Sequence, residues 1–147
     1  TRQLRETLLR LYGEGDVDKA IAVNVLSFGF KHGLPQDADL VFDVRFIPNP
    51  FYIPEMRPLT GADAPVHDYV MSFEETRVFL NKTLDLLKFL IPHYVSEGKD
   101  RLVIAVGCTG GQHRSVCLTN EIAKGLKAAG FHATASHRDT QIETKEK

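Results

Sequence analysis

Arg101-Leu-Val-Ile-Ala-Val-Gly-Cys-Thr-Gly-Gly-Gln-His-Arg-Ser115 is the stretch that decides the fold. Leu102 to Val106 is a short apolar run of the kind that forms a buried strand. Gly107 to Arg114 then packs three glycines, a cysteine, a histidine and an arginine into eight positions. From Ser115 onward Leu118, Ile122, Leu126 and Ala129 fall on one helical face, and Gly130 supplies a stop. A strand, a glycine-rich turn and a helix start in that order gather backbone N–H groups into a nest that favours an anion of phosphate size.

Upstream, Glu74 to Tyr94 carries the longest helical pattern, with Leu80, Leu84, Leu87 and Ile91 on one stripe. Pro92 predicts a kink or stop near Leu90 and Ile91. Phe46 to Pro65 holds five prolines, at 48, 50, 54, 58 and 65, which neither helix nor sheet tolerates at that density. Its apolar residues, among them Phe46, Ile47, Phe51, Tyr52 and Met56, favour an ordered loop packed near the site over a disordered one. Ile21 to Phe30 and Ala38 to Arg45 read as two strands. The few residues between them are too short for a helical crossover, so the pair is expected to be antiparallel or only loosely adjacent. Phe131 to His137 reads as the last strand and Arg138 to Lys147 as a polar tail. At the other end, Leu4, Leu8 and Leu11 mark a short amphipathic helix closed by Gly13 and Gly15.

The order α-β-β-α-β-α-β predicts an α/β sandwich of about four strands with helices on its faces. The glycine turn would then lie at the carboxyl end of a central strand, where open α/β sheets bind ligands. The chain has 147 residues, 43% hydrophobic and 25% charged, which suits one soluble domain with a real core. A net charge of −1 gives no general electrostatic argument for nucleic acid or an anionic membrane. No run approaches the roughly 20 apolar residues of a spanning helix. Cys108 and Cys117, in the turn and the following helix, do not read as a disulfide framework, and a reducing cytoplasm is expected. Because the chain starts at Thr1, it is expected to be cut from a longer protein.

The turn also spells Cys108-x-x-Gly111-x-x-Arg114-Ser115, the pattern of cysteine-dependent phosphatases. That chemistry needs the Cys108 thiolate at the base of the cradle, Arg114 forked onto two phosphoryl oxygens, and Ser115 assisting the leaving thiolate. Two parts are missing: Gly107 stands where those enzymes usually carry His, and nothing in the spacing selects Asp43 or Asp68 as general acid. Cys108 reads equally well as a small apolar residue closing a buried strand, and His113 as either a ligand contact or an exposed loop residue. Lys31, His32, Arg45, Asn49 and Arg57 could add charge or polarity, or could each be an ordinary surface residue. No histidine or cysteine pair has metal spacing, so no metal site is expected.

Taken together, Ser27-Phe-Gly-Phe-Lys-His-Gly33, Asp43-Val-Arg-Phe-Ile-Pro-Asn-Pro50, Arg57-Pro-Leu-Thr-Gly61, the glycine turn and Ser136-His-Arg-Asp139 resemble the C-terminal domain of the RapZ/YvcJ family of bacterial nucleotide-binding proteins and RNase adapters. The resemblance implies a phosphofructokinase-like half with mostly parallel strands, in a homo-oligomer. It implies an N-terminal P-loop domain that hydrolyses ATP or GTP, lying outside this chain, which has no G-x-x-x-x-G-K-[ST] and so no cofactor of its own. Residues 1–19 would be the connector from that domain, 20–139 the ligand- and RNA-binding domain, and 140–147 a tail.

Enterobacterial members of the family bind small regulatory RNAs, sense glucosamine-6-phosphate and deliver the RNA to an endonuclease. Carried over, the ligand would be a phosphorylated sugar or nucleotide sugar. Its cradle would be Cys108, Thr109, Gly110, Gly111, Gln112, His113, Arg114 and Ser115, with Lys31, Arg45 and Asn49 as lesser neighbours. Apart from the resemblance, an RNA-binding module would use Lys124, Lys127, Arg138, Lys145 and Lys147, which read equally well as an ordinary solvated face. The chain departs from the enterobacterial pattern at Phe51, where a His stands, which bears on sugar specificity. It departs again in its tail, where Arg138, Lys145 and Lys147 are balanced by Asp139, Glu143 and Glu146. RNA affinity falls with each lost cation, so the Gram-positive relatives are the nearer comparison.

Overall fold

The computed structural model describes residues 21–140. The expected connector helix, most of the expected tail, and Lys145 and Lys147 lie outside the described residues. Four strands, β1 (Ala22–Gly29), β2 (Leu40–Asp43), β3 (Arg101–Cys108) and β4 (His132–His137), form one sheet in the order β2-β3-β1-β4. Every pairing is parallel. Among the described residues three helices accompany them: α1 (Ala64–Met71), α2 (Glu74–Ser96) and α3 (Arg114–Ala128). The fold is thus a small α/β sandwich.

Alternation along the strands decides where the core sits. Val23 and Val25 on β1, and Leu102, Ile104 and Val106 on β3, are fully or almost fully buried on one face. There they join Leu87, Ile91 and Val95 of α2 and Leu118, Ile122 and Leu126 of α3 in one hydrophobic cluster. Burying each such side chain contributes about 1.5–3 kcal/mol, so this face anchors the domain.

The first two strands are neither antiparallel nor adjacent, because β3 lies between them. The short link suffices because β2 is only four residues long and starts beside Ile104, halfway along β3, so the chain need not return the full length of the sheet. Asp39 completes the turn into β2: its amide donates to the Val103 carbonyl at 2.8 Å, and its carboxylate accepts from the Val103 amide at 2.8 Å.

Helix α2 does not stop at Pro92 but runs on to Ser96. Proline removes the N–H that would reach the Lys88 carbonyl, and Lys88 is exposed, so the lost bond falls on the solvent side of the helix. Ser96 Oγ donates back to the Pro92 carbonyl at 3.1 Å. Helix α1 falls where the sequence pattern predicts the end of the long loop. Pro65 stands in its first turn, a position that needs no N–H. Val66 and Val70, one turn apart, are its buried face.

Candidate functional site

The carboxyl ends of β1 and β3 are in register, Gly29 beside Cys108, and Asp43 at the end of β2 sits beside Gly107. The glycine turn therefore leaves the sheet at the centre of its carboxyl edge. Gly111 has φ 86, in the left-handed region that favours glycine, and a Cβ there would lie 2.7 Å from the Gly29 amide nitrogen. A Cβ on Gly29 would in turn lie 2.4 Å from the Gly110 carbonyl. Both glycines are dictated by backbone meeting backbone. The turn runs straight into α3, whose N-terminus no side chain caps, leaving its first amides to other acceptors.

Over this turn lies a cavity of about 180 Å³, lined by Lys31, Asn49, Phe51, Tyr52, Cys108, Thr109, Gly110, Gln112, His113 and Arg114. Eight of the eleven residues expected from the sequence thus share one lining. The other three have different places. Gly111 is buried under Gly29. Ser115 is fully buried, and its oxygen accepts from Cys108 Sγ at 3.1 Å. Arg45 forks onto Asp43, with Nη2 to Oδ2 at 2.7 Å, and its guanidinium lies 4.0 Å over the Phe30 ring. That bond holds the Asp43 carboxyl below its usual range.

The polar side chains of the turn fasten the proline-rich loop. Arg114 Nη1 donates to the carbonyls of Arg45 and Ile47 at 2.9 and 2.8 Å. Gln112 Nε2 donates to the carbonyls of Arg57 and Leu59 at 2.8 and 2.6 Å. His113 Nε2 lies 3.0 Å from the Met56 carbonyl and so carries the proton there. The Gly61 amide returns a bond to the Gln112 carbonyl at 2.9 Å. At about 0.5–1.5 kcal/mol net for each bond, these contacts order a loop that has no regular structure beyond the short turn Pro50–Tyr52. Asn49 caps that turn through the Phe51 amide. His113 is buried, not an exposed loop residue.

Arg114 is the electrostatic centre of the site. It is 4% exposed, and it makes no ion pair among the described residues. Its Nη2 reaches Thr109 Oγ1 at 3.4 Å, and its Nε has no partner. With Nη1 spent on the loop, the Nε–Nη2 edge is the one on which a guanidinium can still take two oxygens side by side. Lys31 adds a second cation to the lining, and the lining holds no carboxylate. Arg114 helps to lower the Asp43 carboxyl, but that carboxylate lies outside the lining and is already forked by Arg45, so the lining itself is cationic and the arrangement favours an anion. Among the described residues no cluster of His, Cys, Asp or Glu could hold a metal ion.

Tyr52, which the sequence pattern places only among the loop's apolar residues and not in the site, is 77% exposed at the rim and adds to Phe51 an aromatic wall. The proline-rich loop's aromatic content was the available signal. Lys124 and Lys127 are exposed on α3. Arg138 is held by Asp139, Nη2 to Oδ2 at 2.8 Å, and donates to the Gly33 carbonyl at 2.6 Å. Asp139, 1% exposed, also accepts from the Gly29 amide at 2.7 Å, so the Ser136–Asp139 block staples the end of β1 under the turn. Ser27, His137 and Asn120 form a hydrogen-bonded chain, 2.7 and 3.0 Å, that imitates a hydrolase triad. Ser27 is fully buried, so no substrate reaches its oxygen and the chain is structural. Both cysteines are free and buried, and burial pushes the Cys117 thiol up to about 12.

The family model described as the RapZ C-terminal domain matches residues 21–141. A nucleotide-binding protein of Clostridium perfringens (strain SM101 / Type A) is 55% identical over 139 residues, covering 94% of this chain and 47% of the relative. One from Clostridium acetobutylicum is 54% identical over 142 residues, 96% of this chain and 48% of the relative. One from Clostridium novyi is 52% identical over 144 residues, 97% and 49% respectively. The chain spans about half the length of these curated relatives.

Proposed function

Because the chain belongs to the RapZ C-terminal domain family of nucleotide-binding proteins, we propose that it is the ligand-sensing half of such a protein. In this reading the cavity receives the phosphoryl group of a phosphorylated sugar or nucleotide sugar, an amino-sugar phosphate such as glucosamine-6-phosphate being the type ligand. The observation that carries it is Arg114: a buried guanidinium whose Nε has no hydrogen-bond partner, in a lining that holds no carboxylate. Its loop bonds tie occupancy of the cavity to the order of residues 45–61, and so offer a way to signal.

The remainder of the reading concerns the whole protein. An upstream domain binds and hydrolyses ATP or GTP, the subunits associate as a homo-oligomer in the cytoplasm, and the signal governs delivery of a small RNA to an endonuclease. Lys124 and Lys127 would contact that RNA with Arg138, Lys145 and Lys147. Lys127 lies about 20 Å along α3 from Arg114 at ~1.5 Å per residue, so α3 would carry the message between them. Among the described residues no helix is long and apolar enough to cross a membrane.

A cysteine phosphatase is the weaker reading. Both hydrogens of Arg114 Nη1 are engaged by main-chain carbonyls, and no carboxylate of the lining can act as general acid. Calorimetric titration with glucosamine-6-phosphate tests the sensor: binding at millimolar concentration or tighter is expected, and no heat at that concentration rules it out. Turnover of an aryl phosphate that disappears in Cys108→Ser would revive the phosphatase.

A further inference from the structure

All-parallel sheets are stable when both faces are covered, and among the described residues this one has helices on a single face. Val23, Val25, Leu102, Ile104 and Val106 point into the cluster built with α1, α2 and α3. Their alternates point the other way. Val41, Ala105, Leu26 and Ser136 stand in one register row across the four strands, with Val103, Asn24 and Thr134 in the row below. Leu26, Val103 and Val41 take no part in the cluster. On the β4 side this second face is polar and satisfied, because Asn24 Oδ1 accepts from Thr134 and Ser136 at 3.3 and 3.2 Å. On the β2-β3-β1 side it is apolar. Near the carboxyl edge it is covered by aromatic rings: a Cβ on Gly107 would lie 2.5 Å from Phe28 Cζ and 2.7 Å from Phe30 Cε2. Towards the amino edge Ala22 is exposed, Leu26 and Val103 are half-buried, and Val41 is 44% exposed.

We infer that residues 2–12 dock on this second face as a helix, setting Leu4, Leu8 and Leu11 on Val41, Ala105, Leu26 and Val103. The first face is already filled by three helices. The segment enters the sheet at Ile21, beside the amino end of β1, which is an inner strand. Residues 13–20 can span up to ~26 Å, ample to bring the end of the helix back over the sheet. The stripe from Leu4 to Leu11 is ~10 Å long at ~1.5 Å per residue, and the floor from the Ala22 row to the Leu26 row is ~13 Å at ~3.3 Å per residue. Ala22 and Ala105 are small enough to let a helix approach, while Arg2, Glu6 and Arg10 fall on the side of the helix turned to water. Docked in this way, the segment joins the domain to whatever precedes it as a rigid strut, not a loose tether. This contact is independent of the cavity and of its ligand.

Hydroxyl-radical footprinting of the 147-residue chain tests it, because Val41 has a matched control in Val78 on α2, 43% exposed where Val41 is 44%. In the wild-type chain Val41 is expected to be oxidised several-fold more slowly than Val78, at every protein concentration. Replacing Leu4, Leu8 and Leu11 together by serine is expected to bring the two rates together while leaving Val78 unchanged. Equal rates at Val41 and Val78 in the wild-type chain would overturn the inference, and that arm decides even if the serine variant does not fold. Protection of Val41 that fades on dilution would also overturn it, since the cover would then be a second copy of the chain. So would protection that survives in a folded serine variant.

Discussion

Arg114 and Asp139 carry opposite kinds of work at the same edge of the sheet. Asp139 is a structural anion: burial would raise its carboxyl, but the Arg138 guanidinium and the Gly29 amide overcome that and hold it below the usual range. A lowered carboxyl contributes stability above its unfolded value, lost as pH falls through the folded one. Asp139→Ala should therefore cost about 2–4 kcal/mol in urea unfolding at pH 7, because it orphans the buried Gly29 amide and unpairs Arg138. The penalty should shrink towards pH 3. Arg114→Met should weaken phosphate binding by about a hundredfold or more, since it removes the fork and its charge. It should also destabilise the chain, by leaving the carbonyls of Arg45 and Ile47 unpaired. The Cys-x5-Arg spacing made Arg114 legible in the sequence. That its other nitrogen would hold a loop some seventy residues upstream was not, because no local pattern encodes a bond to a distant backbone carbonyl.

Helices α1 and α3 meet through a titratable contact that no motif announced. His67 Nε2 lies 2.5 Å from Glu121 Oε1 and its Nδ1 3.2 Å from Asp68 Oδ1. The Glu121 bond, outweighing burial and helped by Asp68, raises the His67 pKa. A raised histidine contributes stability that is complete below its unfolded value, near 6.5, and lost as pH rises through the folded one. Thermal melts should show wild type exceeding His67→Gln by ~0.2–1 kcal/mol at pH 6, as for other partly exposed ion pairs. The gap should shrink as pH rises above His67's unfolded value; a gap that widens with pH would contradict the contact. Long elements were readable because their periods repeat: α2 and α3 announced themselves through leucine and isoleucine stripes. Helix α1 offers only Val66 and Val70 behind a proline, too few turns to stand out. Strand β2 misled because its pairing depends on where along β3 it begins, a matter of register between segments sixty residues apart.

At the scale of the whole molecule the sheet is a platform that brings three strand ends, the proline-rich loop and the start of α3 round one cavity. The α/β class and the place of the glycine turn followed from the strand-turn-helix order. The strand order and the loop's seat on the turn needed the three-dimensional arrangement. If the cavity is an anion site, a ligand at a hundred times its dissociation constant should stabilise the chain by ~2.7 kcal/mol, and differential scanning calorimetry should show the melting temperature rising by several degrees with phosphosugar concentration. The most direct test is a crystal structure of the chain grown with inorganic phosphate. Oxyanion density should lie against the Nε–Nη2 edge of Arg114, beside the amides of the glycine turn. Density confined to other surfaces, with Arg114 swung out of the cavity, would contradict the account.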